Sequence, residues 1–155
     1  MIRPAHLLDL PRILELGQEY SHEAREQGLH DPEWNSRVAA SNFIASVGQG
    51  HLGNVAVMDG RVVGFMWAIA APATLWTDAI TAQCLIFYVT PDYRGTSCGI
   101  QLLRKFDKWS QEMQCSDSYI STASGINTDR VNKLFVRMGY SPLGTVYRKV
   151  LKEES

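Results

Sequence analysis

Leu85-Ile86-Phe87-Tyr88-Val89-Thr90-Pro91-Asp92-Tyr93-Arg94-Gly95-Thr96-Ser97-Cys98-Gly99-Ile100-Gln101-Leu102-Leu103 is the stretch from which the fold is read. An apolar run stops at Pro91, passes through an Arg-Gly turn, and resumes with apolar residues at helical spacing. The pattern predicts a strand, a loop and a helix start. Backbone N–H groups at a helix start have no intrahelical acceptor and lie at the positive end of the helix dipole, which suits a phosphate. Gly95 and Gly99 let the backbone approach such a ligand without a Cβ in the way. There is no Gly-x-x-x-x-Gly-Lys-Ser/Thr and no Gly-x-Gly-x-x-Gly opening a βαβ unit, so the two commonest phosphate loops are excluded.

Upstream of this stretch, Leu52 to Met58 and Val62 to Ala70 read as strands joined by Asp59-Gly60, a two-residue hairpin signal. Before them, Met1 to Pro4 reads as an edge strand. A helix follows with Leu10, Ile13, Leu14, Gly17 and Tyr20 on one face, Asp9 as its N-cap and Pro11 in its first turn. Gln27-Gly28-Leu29-His30 ends that helix. Asp31-Pro32-Glu33 announces a second one carrying Val38, Phe43, Ile44 and Val47, closed by Gly48 and Gly50. Ala71 to Ala79 is irregular and leads into a strand from Gln83 to Val89. Its exposed apolar residues Leu75 and Trp76 are candidates for an acceptor pocket or a dimer contact. The helix after the loop places Leu102, Leu103, Phe106, Trp109, Ser110 and Met113 on one face. Beyond it come a strand from Ser118 to Thr122, a helix from Asn127 to Met138 ending at Gly139, and a last strand from Tyr140 to Leu151. The order is β-α-α-β-β-β-α-β-α-β, a mixed α/β domain over residues 1–155 without repeat or linker.

A chain of 155 residues with net charge −1 has the size of one domain and lacks the basic balance of a nucleic-acid binder. Arg130, Lys133, Arg137, Arg148, Lys149 and Lys152 read as a solvated face. Cys84, Cys98 and Cys115 are odd in number and have no Cys-x-x-Cys spacing, so neither a disulfide framework nor a zinc site is indicated. Met1-Ile2-Arg3-Pro4-Ala5 lacks the form of a signal peptide, and no apolar run approaches a membrane span. The expectation is a soluble, cytoplasmic protein.

Arg94-Gly95-Thr96-Ser97-Cys98-Gly99, following Val89-Thr90-Pro91, resembles the pyrophosphate motif Arg/Gln-x-x-Gly-x-Gly/Ala of the Gcn5-related N-acetyltransferase (GNAT) family. Ser97 stands where that family prefers its first glycine, and as a small, helix-capping residue it is a tolerable change. Val131 to Tyr140 is similar to the later part of the family pattern Asn-x-x-Ala-x-x-Leu-Tyr-x-x-x-Gly-Phe. Thr128 occupies the Asn position, with Asn127 one residue earlier. Phe135 replaces a tyrosine that in many relatives protonates the departing thiolate, and a phenyl ring has no proton to give. The element order also looks like the GNAT fold from end to end.

The resemblance implies acetyl-CoA as co-substrate and no metal. Backbone of Phe87, Tyr88 and Val89 would pair with the pantetheine arm. The N–H groups of Gly95, Thr96, Ser97, Cys98, Gly99 and Ile100 would hold the pyrophosphate, Arg94 would add charge, and Asn127 and Phe135 would lie against the cofactor. An amine of a small molecule or protein would attack directly, with a strand N–H stabilising the oxyanion. Tyr20 and Glu23 are the candidate catalytic residues, as the general base that takes the amine proton, and His22, His30 or Asp78 are candidate ends of a water chain serving the same role. Cys98 reads as a loop residue whose N–H matters, since no triad partner accompanies it. Ser97 and Phe135 keep open an alternative, an acyl-CoA-binding or protein-interaction module with little or no turnover. A homodimer also stays open, because many relatives dimerise.

Overall fold

Asp59 and Gly60 both adopt positive φ, 53° and 73°, the backbone that a primed two-residue hairpin turn requires. Around this hairpin runs a sheet in the order β1-β2-β3-β4-β5. The strands are β1 (Ile2–Pro4), β2 (Leu52–Met58), β3 (Arg61–Pro72), β4 (Ile80–Val89) and β5 (Asp117–Tyr119). The first four pair antiparallel in sequence, and β5 runs parallel to β4. The computed structural model describes residues 1–29 and 31–152, so the expectation for His30 lies outside the described residues.

Strand alternation divides the core between the two faces of the sheet. Phe65 and Tyr88 pack with Ile13 and Leu16 of α1 (Leu10–Glu26) and Phe43 of α2 (Ser36–Gly48). Met66, Phe87 and Val89 face the other way, toward α3 (Cys98–Glu112) and α4 (Thr128–Arg137). The result is a mixed α/β sheet with helices on both faces. On α3, Leu102, Leu103, Phe106 and Ser110 are buried, whereas Met113 lies beyond the helix end and is exposed. Phe106 is wholly buried and stacks on Trp109 at 6.3 Å between ring centroids. Phe106→Ala is therefore expected to cost about 3–5 kcal/mol, read as a lower urea midpoint with unchanged slope. A loss under about 1 kcal/mol would show that this core relaxes around the cavity.

Three sequence expectations are corrected. Asp9 sits at the start of α1, but its carboxylate accepts from Arg3 Nη1 at 2.7 Å and from the His6 N–H at 2.7 Å, closing the preceding turn and not capping the helix. Helix α2 starts at Ser36, not at Asp31-Pro32-Glu33, because the Asn35 side chain accepts from the Val38 N–H at 3.1 Å. Its Phe43 is buried, whereas Val38, Ile44 and Val47 are exposed. No strand forms between residues 140 and 152, so the observed order lacks the final β. Pro142 and Gly144 interrupt the pattern, and Leu143, Val146, Tyr147 and Leu151 are exposed.

Candidate active site

Strand β4 pairs with β5 only at Thr81, Ala82 and Gln83. Just beyond, Trp67 faces Ile86 and Ala68 faces Cys84, which leaves Leu85 without a partner on β3. An extra residue of this kind bends a strand and turns it from its neighbour. From Cys84 to Val89 the outer edge of β4 has no strand beside it among the described residues. Backbone groups along such an edge seek partners. A cavity of about 500 Å³ opens there, lined by Phe87, Tyr88 and Val89.

At the far end of β4 the loop continues the cavity wall through Arg94, Gly95, Thr96, Gly99 and Ile100. Gly95 has φ +87°, a conformation costly for any residue with a Cβ. The Thr96 hydroxyl donates to the Tyr93 carbonyl at 2.6 Å, and the Cys98 N–H reaches Thr96 Oγ1 at 3.4 Å. Among the described residues no backbone acceptor takes the N–H of Gly99 or Ile100. These are the unsatisfied donors that a helix start offers an anion.

Ser97 and Cys98 do not line the cavity. Ser97 occupies the N-cap position of α3 without capping it, because its hydroxyl accepts from Gln101 Nε2 at 2.7 Å. Cys98 is buried, with its Sγ at 3.0 Å from Met58 Sδ in the core.

Asn127 and Phe135 both line the cavity. Asn127 precedes α4 in the left-handed conformation, φ 49°, and makes no side-chain cap. Phe135 is buried between the rings of Phe87 and Tyr140, at 6.5 and 5.9 Å. From the opposite face of the sheet, Tyr20 of α1 also reaches the cavity, edge-on to Tyr88 at 6.1 Å. Burial, with lesser effects from Asp31 and Cys84, pushes the Tyr20 phenol above its ordinary value, so it stays protonated at neutral pH. The hydroxyl has no hydrogen-bond partner among the described residues. Burial pushes the Cys84 thiol up to about 12, which leaves it protonated and unsuited to act as a nucleophile.

Glu23 stands three residues after Tyr20 but faces away from the cavity, into a groove shared with Arg12, Glu19 and His22. Its carboxylate is gripped from two sides. Arg94 Nη1 and Nη2 donate to it at 3.0 and 2.6 Å, and the Tyr88 hydroxyl donates to the same group. Arg94 also donates through Nε to the Val89 carbonyl at 2.9 Å and lies over the Tyr88 ring at 5.3 Å. This clasp joins α1 to the end of β4 and the start of the loop.

Burial raises the Glu23 carboxyl, but the hydrogen bonds from Arg94 and Tyr88 and the Arg94 charge outweigh it and hold the group below the ordinary carboxylate value. A depressed carboxylate is a poor base. Its folded value lies below its unfolded one, so the stabilisation is present above the unfolded value and is lost as pH falls through the folded one. Glu23→Gln is expected to lower the melting temperature at neutral pH, with the gap to wild type closing under acid conditions. A gap that stays constant across that acid range would show that the clasp carboxylate is not linked to stability.

His22 is exposed and pairs with Glu26 Oε1 at 3.2 Å, and Asp78 is exposed in the turn before β4. Neither lines the cavity, nor do Leu75 and Trp76, which are fully or largely exposed. Sequence reading missed Leu85, the segment from Ile120 to Ser124, and three cations of α4, Arg130, Lys133 and Arg137, all of which line the cavity. Those cations are exposed, as a solvated face requires, and they also line the cavity wall. Their i, i+3, i+7 spacing was the available signal. Among the described residues, no group of three His, Cys, Asp or Glu is placed to hold a metal ion, and no helix is long and apolar enough to cross a membrane.

A sheet whose β4 parts from β5 beside a cavity is an architecture that recurs in solved structures. The same architecture occurs in a Trypanosoma brucei acetyltransferase, 18% identical with a TM-score of 0.73 over 97% of this chain and 99% of that one. It occurs in a ribosomal-protein-alanine N-acetyltransferase of Brucella melitensis biovar Abortus 2308, 19% identical with a TM-score of 0.72 over 97% and 99%. It occurs again in AAC(6')-Iy in complex with the bisubstrate analog CoA-S-monomethyl-acetylneamine, 17% identical with a TM-score of 0.70 over 97% of both chains. No curated protein matches the chain in sequence. The family description "acetyltransferase (GNAT) domain" matches residues 49–142, more than half of the chain. The chain therefore belongs to the GNAT family and is an N-acetyltransferase.

Proposed function

We propose that the chain transfers an acetyl group from acetyl-CoA to an amine of a small molecule or protein by direct attack within a ternary complex. The observation that carries this reading is the unpaired edge of β4 from Cys84 to Val89, which leads straight into the unsatisfied N–H groups of Gly99 and Ile100. An extended pantetheine arm would take that edge as a further strand, through backbone of Phe87, Tyr88 and Val89. The N–H groups from Gly95 to Ile100 would hold the pyrophosphate, with Asn127 and Phe135 along the opposite wall. The thioester supplies the activated acyl carbon.

N–H groups along the β4 edge near Leu85 are the donors for the developing oxyanion. As the amine nitrogen forms its bond to the acyl carbon and the C–S bond breaks, the amine loses a proton to water and the departing sulfur gains one. We assign that second proton to the Tyr20 phenol, because Phe135 has none and Tyr20 reaches the same cavity. Glu23 and Arg94 act as positioning residues through the clasp, which holds α1 and Tyr20 against β4. Free thiols at Cys84, Cys98 and Cys115 suit a reducing compartment, and we place the reaction in the cytoplasm, in a single domain over residues 1–155.

Thiol release from acetyl-CoA against a panel of amines tests the reading. Amine-dependent release is the expected result. Binding of acetyl-CoA without release for any amine would favour a binding module on the same scaffold, and absence of binding would sink both.

A further inference from the structure

The cavity is lined by four cations, Arg94, Arg130, Lys133 and Arg137, and by no carboxylate among the described residues. Arg94 is already neutralised by Glu23. The other three make no ion pair or hydrogen bond among the described residues. They recur at i, i+3 and i+7 along α4, which puts them on one face of that helix and spreads them over about 10 Å at 1.5 Å per residue. Arg130 lies directly over the loop: a Cβ on Gly95 would sit 2.8 Å from its Nη2. Glycine at 95 thus serves the turn and also leaves room for a guanidinium beside the loop.

Three uncompensated cations over that length repel one another, so they favour an extended ligand with several negative charges over a single carboxylate or phosphate. A pyrophosphate on the loop satisfies one end of the row only. We propose that Arg130, Lys133 and Arg137 form a second anion seat, for the 3'-phosphate of the cofactor's adenosine, and thereby select 3'-phosphorylated CoA over its dephosphorylated form. This rests on the reading of the cavity as a CoA site. Guanidinium groups can grip phosphate oxygens in pairs, and the lysine adds a point charge.

The test is calorimetric binding of CoA and of 3'-dephospho-CoA to wild type and to an Arg130→Gln/Lys133→Gln/Arg137→Gln variant, repeated at two salt concentrations. All three side chains are exposed, so melting temperature should change little. Wild type is expected to hold CoA at least tenfold more tightly than the dephosphorylated form, with the preference shrinking at high salt and vanishing in the variant. Equal affinity of wild type for the two ligands overturns the second seat while leaving the CoA site in place. Retention of the full preference by the folded variant overturns the assignment to these residues. Failure of wild type to bind either ligand overturns the CoA reading itself.

Discussion

Gly99→Trp is expected to abolish acetyl-CoA binding while leaving the fold intact. A Cβ at Gly99 would lie 3.5 Å from Phe87 Cζ and 3.9 Å from Leu134 Cδ2, which are ordinary contact distances. The helix start therefore accepts a side chain, and a larger one would extend into the cavity that Phe87, Leu134 and Gly99 jointly line. An indole there occupies the path from the β4 edge to the free N–H groups of Gly99 and Ile100. Loss of the loop contacts should weaken binding by at least about 100-fold, or about 2.7 kcal/mol, read by calorimetry. Melting temperature should stay close to wild type, because φ at Gly99 is not among the positive values that only glycine tolerates well. Gly99→Ala separates obstruction from helix propensity: a methyl group meets no hard contact, so its effect on affinity should be small. A tryptophan variant that binds acetyl-CoA as wild type does would remove the loop from the site.

The sheet was legible because its signals are local. Asp59-Gly60 predicted the hairpin within one residue on either side, and Pro91 with Arg94-Gly95 marked the passage from β4 to α3. Such features depend on which φ values a residue tolerates, and that is written in residue type. The last strand was misread for the same reason in reverse: Tyr140 to Leu151 has strand-like composition, but a strand also needs a neighbour, and β5 is only three residues long. Ser97 shows a second limit. Its type suits capping, yet the hydroxyl is taken by Gln101 one turn on, a competition that composition does not reveal.

The least legible part of the site is the clasp. Glu23 and Arg94 are 71 positions apart, and nothing in either neighbourhood announces the other. Read alone, Glu23 on a helix beside an expected cleft looks like a base, and Arg94 in a phosphate loop looks like a phosphate ligand. Brought together, each neutralises the other, which leaves the α4 cations as the uncompensated positive groups along the cavity. Those cations were visible at helical spacing in sequence, but which face of α4 turns to solvent is decided by where Phe135 and Leu134 find the core.

Tyr20→Phe is expected to lower kcat by about 100-fold, within the range typical of a lost general acid, with the KM for acetyl-CoA nearly unchanged. The substitution keeps the ring that packs edge-on to Tyr88 and removes a hydroxyl that has no hydrogen-bond partner to lose. Stability should therefore be unaffected, which separates a chemical role from a packing one. The pH profile gives the second readout. An acid must be protonated to act, so the wild-type rate should fall as pH rises through the phenol's own value, and burial has moved that value above the ordinary phenol range. A rate that holds level well into the alkaline range, then declines, is the expected wild-type curve. In Tyr20→Phe the decline should be absent, because what remains is proton delivery by water. Phe135→Tyr offers the complementary case: placed beside Phe87 in the same cavity, a hydroxyl there should restore part of the rate lost in Tyr20→Phe. Equal kcat for Tyr20→Phe and wild type would mean that solvent protonates the leaving sulfur and that Tyr20 only shapes the cavity.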